Sequence, residues 1–149
     1  MTFNVKATEA IALLGTITPA AQAAGAAVSG WLPAAQFQKF LALIQAGTFG
    51  ALATIDAKIQ QATDATGTGA KDIAGKAITQ MLAAGGNNVQ AEINLDAQDL
   101  DVNNGFAFIQ LSVTVGTATS GTAGVILGIG GRLGPASNFN NASVTQIVG

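Results

Sequence analysis

Ala51-Leu-Ala-Thr-Ile-Asp-Ala-Lys-Ile-Gln60 decides how this chain folds. Ala51, Ala53, Ile55, Ala57 and Ile59 occupy one parity, and Thr54, Asp56, Lys58 and Gln60 the other. Successive side chains of a strand point to opposite faces, so this stretch reads as a strand with one face in a core and one in water. Val89–Asp96 repeats the pattern, setting Val89, Ala91, Ile93 and Leu95 against Gln90, Glu92, Asn94 and Asp96. Ile109–Val115 does so a third time, with Ile109, Leu111, Val113 and Val115 alternating with Gln110, Ser112 and Thr114. Phe106 and Phe108 precede that run on the opposite parity, which points to a bulge or to burial on both faces near its start.

Turn chemistry brackets these runs. Gly85-Gly-Asn-Asn88, Asn103-Asn-Gly105 and Thr66-Gly-Thr-Gly69 are rich in residues that tolerate the positive φ of tight connections. A further run, Ala123–Ile129, ends in Gly130-Gly-Arg132 and Gly134-Pro135. Strands at this spacing predict an all-β protein, an antiparallel β-sandwich of jelly-roll-like type. Residues 34–46 read in two ways. Phe37, Phe40, Leu41 and Ile44 have the i, i+3, i+4, i+7 spacing of a helix after Pro33, yet Phe40-Leu-Ala-Leu-Ile44 is also a strand buried on both faces. The strand that follows from Ala51 offers a hairpin partner and favours the second reading. Thr8–Ala27 is Ala-rich but broken by Pro19 and glycines, and Lys71–Leu82 is equally ambiguous.

Composition excludes several functions. The 149 residues amount to one domain, and they include no His, Cys or Tyr. Without His and Cys there is no Ser-His-Asp or Cys-His catalysis as usually built, and no zinc, haem or iron–sulfur ligation. Six basic and eight acidic side chains give a net charge of −2, so the chain lacks the basic stripe that nucleic acid requires. Only 9% of residues are charged, which leaves little repulsion between copies and favours life in an assembly. Two long stretches, Ala10–Gln38 and Val102–Gly131, carry no charge. The first has Pro19 in its middle and several hydroxyl and amide residues, and the second alternates like a strand, so neither reads as a membrane span. Ile11–Ile17 is short for an export signal and is interrupted by Gly15 and Thr16. The absence of Cys fits a reducing cytosol.

The motifs that carry chemistry fail one by one. Gly67-Thr-Gly-Ala-Lys71 lacks the spacing of a P-loop, and Gly128-Ile-Gly130 lacks the third glycine of a dinucleotide fingerprint. Asp99, Asp101 and Asn103 begin like a calcium loop, but Asn104 and Gln110 stand where an EF-hand needs Gly and Glu. With Glu92 and Asp96 they form the densest acidic cluster, suited to another oxygen-ligand cation site, to a glycosidase carboxyl pair, or simply to keeping a sheet edge soluble. Lys71, Asp72 and Lys76 read as a solvated mixed-charge patch. Arg132, the only basic residue after Lys76, has the geometry to anchor a carboxylate at an interface or to sit idle at the surface. Trp31 and Phe37 are candidates for interface contacts or for core anchors. Together with Phe139 they are the only aromatic platforms a carbohydrate- or receptor-binding module would have. Asn141-Ala-Ser143 matches a glycosylation sequon.

The segments Ile59–Ile73, Leu100–Phe106, Leu111–Ser120 and Arg132–Ser137 resemble a family of short structural proteins of tailed bacteriophages and prophages, a likeness running over roughly residues 31–149. These are strand-and-turn segments without a catalytic motif. The resemblance implies a β-rich virion component with no enzymatic function and no cofactor, made in the host bacterial cytoplasm. It further implies a capsid decoration or cement protein, often trimeric, bound to the major capsid protein, with a neck or tail position as the alternative. On this reading residues 1–30 are an N-terminal arm that packs on another subunit, and 31–149 form the sandwich.

Overall fold

In the computed structural model, which describes residues 4–149, the chain forms ten strands. They are β1 (Ile11–Gln22), β2 (Gly25–Val28), β3 (Leu32–Pro33), β4 (Phe37–Ala46), β5 (Thr54–Ala62), β6 (Lys71–Ala77), β7 (Met81–Leu82), β8 (Val89–Asp96), β9 (Phe108–Gly116) and β10 (Ser120–Gly131). Sheet A has the order β1-β10-β4-β8. Sheet B has the order β2-β9-β5-β6, with β3 paired to β9 and β7 to β5. Every pairing is antiparallel. Leaving aside the two-residue strands, the partners nest about the innermost hairpin: β5 with β6, β4 with β8, β2 with β9, β1 with β10. A long ribbon folded over on itself in this way is a jelly roll, as the turn spacing predicts.

The apolar parities of the three alternating runs face the core as the sequence requires, but Gln110 and Ser112 on the polar parity of the third are buried as well. Ala53, Ile55, Ala57 and Ile59 are buried, as are Ile93 and Leu95 of β8 and the whole apolar parity of β9 from Ile109 to Val115. The strand of the first run begins at Thr54 rather than Ala51. Residues Gly50 to Ala53 close a turn, with the Ala53 N–H donating to the Gly50 carbonyl at 3.1 Å and Leu52 at φ 57°. Residues 37–46 are strand β4, because β10 pairs along its whole length on one side and β8 pairs with residues 39–46 on the other. Lys71–Ala77 is likewise a strand, held on β5.

The N-terminal segment departs from the arm expected of residues 1–30. Strand β1 pairs with β10 in sheet A, β2 pairs with β9 in sheet B, and Ala12 and Ile17 are buried in the common core. Two irregularities, between Leu13 and Gly15 and between Ile17 and Ala20, break the period of two and hide the strand in the sequence. Pro19 falls inside the second irregularity on an edge strand, where its missing N–H costs no ladder bond. The free edge of β1 is partly closed by the segment after β10. Asn140 Oδ1 accepts from the Leu13 N–H at 2.9 Å, and the Asn141 N–H donates to the Leu13 carbonyl at 2.7 Å. Blocking an edge in this way suppresses strand addition there.

Candidate functional site

Strand β10 lies inside sheet A and is built inside out. Its core-facing parity is Thr122, Gly124, Ile126 and Gly128, whereas Val125, Leu127 and Ile129 point away from the core. The glycines admit large neighbours. A methyl at Gly128 would lie 2.7 Å from Phe37 Cγ and 2.8 Å from Leu14 Cδ1, and one at Gly124 would lie 2.9 Å from Leu111 Cδ2. Aromatic and leucine side chains thus reach the β10 backbone from below, and the bulky side chains of β10 are left on top.

The pairing register carries this apolar character across the sheet. One row on the outer face runs Leu13, Leu127, Leu41, Asn94, and the next runs Thr16, Val125, Leu43, Glu92. The row beyond them is Ile11, Ile129, Lys39, Asp96, with Lys39 Nζ 2.9 Å from Asp96 Oδ1. The middle of the face, on β10 and β4, is therefore Leu41, Leu43, Val125 and Leu127, all half-buried, and among the described residues no third sheet packs on them. At one corner the C-terminal segment lies over it, so that Ile11, Leu13, Leu127, Val144, Ile147 and Val148 line a shared groove. Ile147 and Val148 remain 50% and 84% exposed there and extend the apolar surface.

The outer face of sheet B has the opposite character. Its register sets Ala26, Thr114 and Asp56 in one row and Val28, Ser112, Lys58 and Ala77 in the next. Gln110, Gln60 and Asp72 follow. Asp72 accepts from Lys58 at 2.9 Å and from Gln60 at 2.8 Å. Those two bonds, Lys58 foremost, hold the Asp72 carboxyl below the ordinary carboxylate range.

The three residues expected from the sequence to be interface contacts separate in space. Phe37 is only 1% exposed and packs edge-on against Phe40 and Phe139, with ring centroids 6.3 and 5.7 Å away, so it is a core anchor and not a surface contact. Trp31 is half-buried, and its indole lies directly against Gly67 in the β5–β6 turn, where φ is +87° and a side chain would overlap the ring. It pins a turn instead of offering an open platform. Arg132 is exposed beside Gln38, Lys39 and Asp96, and its backbone N–H donates to the Gln36 carbonyl at 2.9 Å. The residues that make the apolar face escape sequence reasoning as a site, although a signal is present: β4 is apolar at both parities from Phe40 to Ile44.

Apart from Glu92, the carboxylates of the acidic cluster are taken up by lysines. Asp96 pairs with Lys39 at 2.9 Å, Asp99 with Lys76 at 3.0 Å, and Asp101 with Lys71 at 2.6 Å. Lys71 Nζ also lies 4.1 Å from the centroid of the Phe106 ring. The Asp101 carboxyl is lowered by Lys71 first and Asn104 second, and that of Asp99 by the Asp96 N–H first and Lys76 after it. Asp64, in the β5–β6 turn, is held far below its usual range by the Thr68 and Thr66 hydroxyls and by backbone N–H groups of the same residues. Among the described residues no three carboxylates gather into a group able to hold a cation, and no helix is long and apolar enough to cross a membrane. Asn141 of the sequon spends its side-chain amide on the Leu14 carbonyl at 3.3 Å.

Comparison with known proteins names no relative. No family model matches the chain, and a search of curated proteins gives no significant match. Among solved structures, the SPBc2 prophage-derived protein YomS is 13% identical with a TM-score of 0.41, the match covering 75% of this chain and 88% of that one. A chain of the Cowpea Mosaic Virus empty virus-like particle is 10% identical with a TM-score of 0.45, covering 88% and 89%. Xylanase 10C from Cellvibrio japonicus is 11% identical with a TM-score of 0.41, covering 76% of this chain and 22% of the xylanase. At such identities and scores none of these likenesses bears on function.

Proposed function

We propose that this chain is a structural component of a tailed-phage virion, without catalytic activity, whose finer placement is decoration of the capsid shell. The observation that carries the reading is the outer face of sheet A, where Leu41, Leu43, Val125 and Leu127 form an apolar surface that, among the described residues, no third sheet covers. A face of this kind is a place where neighbouring molecules bury surface, and contiguous exposed apolar patches mark interaction sites. Shell add-on proteins gain their hold from many repeated weak contacts, so avidity replaces a single strong site. The resemblance of residues 31–149 to phage structural proteins points the same way, to the major capsid protein as partner. The virion is then where the protein acts. The alternative within this class is a neck or tail ring.

Quantitative mass spectrometry of purified particles tests the proposal. Hundreds of copies per particle are expected for a shell protein, against about six or twelve for a ring of cyclic symmetry. Its absence from purified particles overturns the reading.

A further inference from the structure

We infer that the outer face of sheet A is closed by the same face of a second copy of this chain, in an isologous pair whose two-fold axis runs along the strands between β10 and β4. The inference rests on the face alone and does not need the virion reading.

The composition of the face selects the occupant. The eight outward positions of β10 and β4, counting the further row Ala123, Gln45 and Gln90, are Ala123, Val125, Leu127, Ile129, Lys39, Leu41, Leu43 and Gln45, and the one charge among them, Lys39, is neutralised by Asp96. Such a surface offers nothing for a charged partner to recognise, and interfaces between identical subunits are the most apolar of all. Size agrees with this occupant. Four strands about 4.8 Å apart and seven residues at about 3.4 Å each give a flat footprint of about 450 Å². Side-chain relief and the exposed Ile147 and Val148 raise that toward the roughly 800 Å² per partner of a standard interface.

The order of the columns selects the axis. With the two-fold along the strands, β10 of one copy lies over β4 of the other, so Val125 and Leu127 meet the second copy's Leu43 and Leu41. Strand β8, with Glu92 and Asp96, then lies on the β1 side, whose outward residues Ile11, Leu13 and Thr16 carry no charge and where the C-terminal segment over Ile11 and Leu13 brings Ile147 and Val148 into the contact. A two-fold across the strands instead sets β8 on β8, so that Glu92 and Asp96 of both copies are gathered along one column. Like charges brought together at an interface are costly, so the first arrangement is favoured.

The test uses the full chain in solution. Sedimentation velocity is expected to find a dimer. Leu43→Glu and Val125→Glu should each weaken it at least tenfold with the far-ultraviolet circular dichroism unchanged, and Thr114→Glu on sheet B should leave it intact. Should either Glu variant lose its β-sheet signal, Val125→Thr and Leu43→Thr, with shorter polar side chains, keep the comparison. The chain has no cysteine, so the axis is readable by cross-linking. Leu43→Cys mixed with Val125→Cys and treated with a short bis-maleimide should give mixed pairs in excess over self-pairs. A micromolar monomer, an oligomer that Leu43→Glu leaves intact, or self-pairs in excess overturns the inference. A monomer in solution that is still found in particles sinks this inference and spares the virion reading, and a dimer absent from particles does the reverse.

Discussion

The two outer faces of this sandwich were made by the same rule and came out opposite. On sheet B the outward parity is Asp56, Lys58, Gln60, Ser112 and Thr114, polar throughout, with Lys58 and Gln60 both bonded to Asp72 and with Ser112 buried. On sheet A the two central strands turn Leu41, Leu43, Val125, Leu127 and Ile129 outward, with Lys39, Gln45 and Ala123 at the ends. Both sheets bury their other face in one shared core. A sheet in a two-layer protein needs only one apolar face. On the inference drawn above, a second one is met by a layer outside the chain, and the difference between the faces puts that layer on sheet A.

The largest effect that can break this comparison is in the core itself. Phe37→Ala should cost about 3–5 kcal/mol of folding stability by urea unfolding, since it empties a fully buried ring site. Leu41→Ala, four residues along the same strand but facing out, should cost the isolated subunit about 1 kcal/mol. Equal costs at the two positions would mean that both faces of β4 are core. Next in size is Gly128→Ala, whose new methyl meets Phe37 and Leu14 and should destabilise by about 1–3 kcal/mol, measured by the same unfolding. Val125→Thr, on the outer side of β10, should change the stability of the isolated subunit by about 1 kcal/mol or less.

Acid sharpens the contrast with a smaller effect. The carboxyls of Asp64, Asp72, Asp99 and Asp101 are all held below their ordinary value, and all lie around the β5–β6 hairpin and the β8–β9 connection. A lowered folded-state pKa means that the unfolded chain takes up protons first. The stabilisation is therefore complete above about pH 4 and is lost as pH falls below it. Amide protection followed from pH 6 to pH 3 should fail first across residues 63–77 and 97–106, with 41–45 and 123–129 holding. Loss on sheet A first would contradict the placement of these charges. Smallest of all is the salt effect: self-association through sheet A should not weaken as ionic strength rises, because no unpaired charge sits at its centre. A dimer that dissociates with added salt would point to a charged interface elsewhere.

The strands β5, β8 and β9 are legible in the sequence because polar and apolar residues alternate there without interruption. Strand β1 is not, since two irregularities and a run of alanines remove the alternation, and the segment reads as a loose arm. In β10 the parities are visible but their assignment is not: Gly124 and Gly128 look like the exposed side, and only Phe37, Leu14 and Leu111 packing against them make it the core side. The run Phe40–Ile44 is the most informative stretch for the candidate site. Its apolar residues at both parities signal burial on both faces, whereas the single subunit covers only Phe40, Ala42 and Ile44.

By itself, then, the order of residues determined that the chain makes sheets, where those sheets turn, and that no metal- or histidine-based chemistry of the usual kind is available to them. A period of two states that the faces of a strand differ, and that is local information. Which face is covered depends on what lies across the core, tens of residues away in sequence. Folding the ribbon over brought Phe37 against Gly128 and left Val125, Leu127, Leu41 and Leu43 on the outside, and only the assembled sandwich could decide that.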